Sequence, residues 1–127
     1  MSRPLELILA RQWAALLSTP VMLFDLEGSL IFFNEAAGLL LGRKYDETGS
    51  MVGPEWQAAF PMEDEAGRVI GATDSPVANA LRTGSPVMRT VTVRAMDGVR
   101  RKATVTVFPV HGLERTRQGA VCLVHPA

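Results

Sequence analysis

The sequence predicts an α+β fold, with one antiparallel sheet of five strands and short helices packed over one face. Three observations carry this. Two apolar runs, "VMLFD" and "SLIFF", are separated only by the turn Asp25-Leu26-Glu27-Gly28, so short a link that they must pair as an antiparallel hairpin. After residue 85 the apolar pattern changes to a period of two and holds it through three further strands. Between these β-rich ends lie helical segments too short to bury their apolar faces alone, so they must fold back onto the sheet.

Taken in order, the first element is a helix over 4–17, where Leu5, Ile8, Leu9, Trp13, Leu16 and Leu17 recur near helical spacing. Thr19-Pro20 ends it, because the residue before a proline is pushed out of the α region. The hairpin follows. Asp25 can bond its own backbone and Gly28 accepts positive φ, which is turn chemistry. Asn34 ends the second strand and is placed to cap the helix "EAAGLLLG", which Gly42 stops in a left-handed conformation. Residues 43–73 are mixed and glycine-rich, with a short helix at 55–60 and then a loop bearing Glu63, Asp64 and Glu65. In "TDSPVANALRTGSP", Asp74 or Ser75 caps a further helix, Pro76 suits its first turn and Gly84 stops it. In "VMRTVTVRAM", Val87, Val91, Val93 and Ala95 face one way. Asp97-Gly98 is a hairpin signal, and "VRRKATVTVFPV" then sends Val99, Ala103, Val105 and Val107 inward. "GAVCLVH" (119–125) is the last strand, and no repeat, low-complexity tract or linker interrupts the chain.

With 127 residues, 47% hydrophobic and 20% charged, the composition is that of one ordinary soluble domain. The formal net charge is zero, but residues 1–81 hold five basic and eleven acidic side chains while residues 82–127 hold eight and two. Such a basic half reads as the wet face of strands whose acidic partners lie elsewhere in the fold, not as a nucleic-acid surface. One cysteine, Cys122, excludes an intramolecular disulfide and any multi-cysteine metal site. No run approaches the roughly 18 apolar residues of a membrane span. Glu6 and Arg11 interrupt the apolar N-terminal stretch, against a signal peptide. A cytoplasmic setting is expected.

The chain carries none of the phosphate-loop, dinucleotide, nucleophile-elbow or zinc-protease patterns, and no catalytic or metal-ligating residue is singled out. His111, in the loop "HGLERTRQG", and His125, beside the C-terminus, read as solvated, and the acidic trio 63–65 as a solvated loop. Alternation sends Arg100 and Lys102 to one face and Arg101 to the other, which weakens a phosphate-binding patch.

The stretch "PVMLFDLEGSLIFFNEAAGLLLGRKYDETG", with "DSPVANALRTGSPV", "MDGVRRKATVTVFPV" and "GAVCLV" after it, resembles a PAS domain. The order and spacing of these segments carry the resemblance, which runs from about residue 18 to the end. It divides the chain into a flanking helix (1–17) and a PAS-like domain (18–127). The resemblance implies strand order 2-1-5-4-3 and helices cupped over the sheet, around a hollow that holds a cofactor, a metabolite or only side chains. Apolar candidates for lining it are Phe33, Leu40, Trp56, Phe60, Leu81, Val91, Val105 and Cys122. They suit a small apolar ligand, or else they are plain core.

Flavin-adduct relatives carry an Asn-Cys-Arg motif on a middle helix, whereas residues 43–84 here have no cysteine. Haem-binding relatives commonly use a histidine on the helix corresponding to residues 75–83, which has none. No haem, flavin adduct or covalent chromophore is therefore expected. The resemblance implies a sensory or protein-interaction module in signal transduction or transcription regulation, without catalytic activity. A homodimer is expected, built on Leu5, Ile8, Leu9, Trp13 and Leu16 of the flanking helix, unless that helix merely covers its own sheet with the same residues. A signalling partner, kinase or transcription regulator, is expected in cis or in trans, and neither membrane nor direct nucleic-acid contact is.

Overall fold

A computed structural model describes residues 5–112 and 116–126. Pro4, predicted to open the first helix, the rest of segment 1–4, and residues 113–115 of the loop after His111 lie outside the described residues.

The elements run α1 (Leu5–Ala14), β1 (Val21–Asp25), β2 (Leu30–Phe33), α2 (Glu35–Leu41), α3 (Tyr45–Thr48), α4 (Gly53–Ala59), β3 (Met62–Glu63), α5 (Pro76–Thr83), β4 (Val87–Arg94), β5 (Arg100–His111) and β6 (Arg117–Pro126). All strands form one antiparallel sheet of order β2-β1-β6-β5-β4-β3. This is the expected order with one edge strand added, so the sheet has six strands rather than five. The extra strand is only two residues long, Met62 opposite Val93 and Glu63 opposite Thr92, too short to show any apolar period. Glu63 is consequently a buried strand residue, not part of a solvated loop; its carboxylate accepts from Arg100 at 2.7 Å.

The β1–β2 turn forms as its residues dictate. The Asp25 carboxylate accepts from the amides of Glu27 and Ser29, at 3.0 and 2.9 Å, and Gly28 takes φ 83°. The same device recurs unexpectedly at Asp64-Glu65-Ala66-Gly67. There Asp64 accepts from Ala66 and Arg68 amides, both at 2.9 Å, and Gly67 takes φ 80°. These backbone donors, that of Arg68 foremost, lower the Asp64 pKa from its ordinary value. Ser75 rather than Asp74 caps α5, its hydroxyl accepting from Ala78 N–H at 3.1 Å. Val99, expected inward, is an exposed residue of the β4–β5 turn, because the strand resumes only at Arg100.

The alternation in β4, β5 and β6 divides the molecule into two apolar layers. On the inner face Val91, Val93, Ala103, Val105, Val107, Ala120, Cys122 and Val124 meet side chains of α2, α4 and α5 in the main core. On the outer face Val21, Leu23 and Ile31 pack with Leu7 and Ala14 of α1. Helices therefore cover both faces, the flanking helix lying opposite α2, α4 and α5. Among the described residues no helix is long and apolar enough to cross a membrane.

Candidate functional site

Of the eight candidate cup residues, Phe33, Trp56, Phe60, Val91, Val105 and Cys122 are at most 2% exposed and belong to one core cluster. Leu40 and Leu81 are half-buried against its rim. Aromatic rings meet within this cluster. Phe24 and Trp56 pack at 5.2 Å between centroids, and Trp56 stacks on Phe60 at 5.5 Å. The Trp56 indole N–H donates to Gly28 C=O at 2.9 Å, pinning α4 to the β1–β2 turn. Among the described residues no buried side-chain nitrogen or oxygen lacks a hydrogen-bond partner.

The cleft nearest the cup lies at its rim, between the β1–β2 turn, α4 and α5. It measures about 260 Å³ and is bordered by Leu26, Gly28, Trp56, Val77 and Leu81. Phe33 borders a second rim cleft with Asn34, Glu35 and Tyr45, and Val91 a polar one with Glu63, Arg100 and Lys102. The candidate residues thus share one core, and the described clefts take them only singly or in pairs. Burial drives the Cys122 thiol up to about 12, so it stays protonated and inert at neutral pH.

The charged candidates are dispersed. Arg100 is engaged by Glu63. Arg101 reaches the Leu40 carbonyl at 3.1 Å and Asp97 at 3.5 Å. His111 ends β5 instead of lying in a loop, and His125 lies in β6; both are exposed.

The other surface of interest is α1. Leu7 and Ala14 are buried against the sheet, with Ala10 and Leu17 beside them. Leu5, Ile8, Leu9 and Trp13 of the predicted stripe face away, Leu9 53% and Trp13 52% exposed; the helix predicted to run to residue 17 ends at Ala14, so Leu16, 86% exposed, lies beyond it. The sheet-covering expectation is corrected in its residues, because the helix covers the sheet with Leu7, Ala10 and Ala14, off the predicted stripe. Small alanines allow the close approach, while the larger side chains are left outside. Beside the stripe runs an apolar groove of about 490 Å³, bordered by Leu7, Ile8, Arg11, Leu23, Ile31 and Phe32. The Arg11 guanidinium lies 4.6 Å over the Phe32 ring at one end.

Sequence reasoning undervalued Asn34. Beyond capping α2, its side chain touches α1, the segment after α1, and β1. Its Oδ1 accepts from the amides of Ala37 and Val21, both at 3.0 Å. Its Nδ2 donates to the carbonyls of Ala14, Leu17 and Thr19 at 3.0, 3.3 and 2.8 Å. The residue type signalled the cap, but no local pattern signalled contacts 13 to 20 positions back.

No protein-family model and no curated relative matches the sequence. Solved structures do match the fold. A PAS domain from Colwellia psychrerythraea superposes with TM-score 0.66 at 17% identity, covering 94% of this chain and 97% of that one. A LOV protein from Rhodobacter sphaeroides gives TM-score 0.73 at 13% identity, covering 95% and 67%. The PAS domain of nitrogen regulation protein NR(II) from Vibrio parahaemolyticus gives 0.63 at 15% identity, covering 94% and 98%. With the strand order and the cupped helices already described, these likenesses identify the fold of this chain as that of a PAS domain.

Proposed function

We propose that the chain is a PAS-type signalling module that acts through protein–protein contact, its cup filled by its own side chains and its outer helix pairing with a second copy. The observation that carries this reading is the two-sidedness of α1. Its sheet side is satisfied by Leu7, Ala10 and Ala14, yet Leu5, Ile8, Leu9 and Trp13, with Leu16 just past its end, remain outside, more large apolar residues than a solvated helix face needs. The stripe and the groove beside it lie on the same outer surface. A two-fold axis between them matches each stripe to the other copy's groove, the self-complementary arrangement of an isologous dimer. Zero formal net charge leaves no long-range repulsion between copies.

A small apolar ligand in the cup is the second reading, favoured by the rim cleft beside Trp56 and Leu81. That cleft lies at the rim, whereas six of the eight cup candidates are buried together in one core cluster, which favours the filled cup. Cys122 is on β6 with an inert thiol, and residues 43–84 hold no cysteine, so the reading includes no flavin adduct. It likewise includes no haem, covalent chromophore or catalytic activity. A cytoplasmic setting and an output partner of the kinase or transcription-regulator type complete the proposal.

Light scattering tests it. The parent chain should be a dimer at tens of micromolar, and Leu9→Glu and Trp13→Glu should each yield a folded monomer, because an unpaired charge in a buried contact is costly. A monomeric parent, or variants that remain dimeric, would overturn the role given to α1.

A further inference from the structure

We propose that Asn34 is a latch coupling α1 to the cup, one carboxamide holding the end of α1 and the start of α2 so that neither shifts alone. Asn34 is 3% exposed and lies where β2 ends, between the inner and outer apolar layers. Its two ends serve opposite sides of the sheet. The oxygen accepts from Ala37 N–H, in the first turn of α2, and from Val21 N–H at the start of β1. The nitrogen donates to Ala14, the last residue of α1, to Leu17 in the segment after it, and to Thr19 just before Pro20.

A helix end leaves carbonyls without intrahelical donors; here Asn34 donates to those of Leu17 and Thr19 and adds a second donor to that of Ala14, which also accepts from Leu17 N–H at 3.1 Å. If α2 moves and carries Asn34 with it, the carbonyls at the end of α1 lose a buried donor. If α1 lifts, the carboxamide loses its fixed orientation and the cap of α2 weakens. Coupling between two sites is reciprocal by thermodynamic necessity. The inference concerns how α1 is anchored within one chain, so it stands or falls independently of whether α1 pairs with a second copy.

Native-state hydrogen exchange on the full chain tests it, using Asn34→Asp and Asn34→Ser. Asp and Ser cap helices about as well as Asn, so α2 keeps its cap. A carboxylate, however, has no donor, and the serine hydroxyl is too short and has only one. Both variants should keep the slow exchange of β5 and β6, while the amides of α1 exchange about tenfold faster, roughly what one net hydrogen bond is worth.

Ser75→Ala serves as the control, since it removes the cap of α5 without touching α1 and should leave α1 unchanged relative to the sheet. In the reverse direction, Leu7→Ala loosens α1 and should speed exchange at Gly38–Leu41 in the parent but not in Asn34→Ser. If charge prevents Asn34→Asp from folding, Asn34→Ser decides. The proposal is overturned if α1 exchanges as in the parent, if it speeds up no more than the sheet, or if Ser75→Ala releases it equally. It is also overturned if Leu7→Ala leaves α2 unmoved in the parent.

Discussion

Asn34 shows how one side chain outgrows the role its residue type announces. An N-cap alone is worth about 1 kcal/mol on replacement by alanine. Here the replacement also strips a partner from the buried amide of Val21 and from the carbonyls of Leu17 and Thr19, while the Ala14 carbonyl keeps the Leu17 N–H at 3.1 Å. Leaving buried polar groups unpaired costs about 1–3 kcal/mol each where water cannot reach them. Urea unfolding of Asn34→Ala should therefore show a loss of about 2–4 kcal/mol, clearly beyond that of Ser75→Ala. Cys122 gives a second residue-scale expectation. Its folded pKa, about 12, lies above the ordinary thiol value of 9.0, so the unfolded chain loses this proton first. Stability from this group is complete below pH 9 and falls as pH rises toward 12. Stability measured against pH should fall less steeply over that alkaline interval in Cys122→Ala than in the parent.

The elements divide between those whose signal is local and those decided by contacts distant in sequence. The β1–β2 hairpin, α2 and α5 were legible because turn, cap and stop residues sit within a few positions of one another. The strand β3 was not, since two residues carry no period. Its one local mark was Asp64-Glu65-Ala66-Gly67, the same spacing as Asp25-Leu26-Glu27-Gly28, which closes the turn after it. For α1 the sequence showed the helix and its large apolar stripe, but not which side faces the sheet. Close approach to β1 and β6 favours the small side chains of Ala10 and Ala14 around Leu7, a tertiary choice that helical spacing does not express. The two sides of the helix should accordingly respond differently. Leu7→Ala should cost about 2–5 kcal/mol, as for other buried leucines. Trp13→Ala, at concentrations where the chain is monomeric, should stay within about 0.5 kcal/mol. Thermal or urea unfolding of both variants distinguishes the buried side from the exposed one.

Across the whole molecule the sheet joins what the sequence separates. β1 pairs with β6 and β3 with β4, so the acidic first two-thirds of the chain is stitched to the basic last third. Glu63 and Arg100 form one ion pair across that seam, and Arg101 turns to its neighbour Asp97, which breaks up the basic run 100–102. The candidate cup residues were legible as a group, because alternation in the strands and spacing in the helices both point them inward. What spacing could not express is how the Phe24, Trp56 and Phe60 rings pack against one another. In the proposed function, this PAS fold keeps its cup for its own side chains and turns outward through α1. Native mass spectrometry of the freshly purified chain tests it most directly. The predicted result is a species of twice 13.8 kDa with no added mass. A single-chain species at tens of micromolar, or a retained small molecule at one per chain, would contradict it.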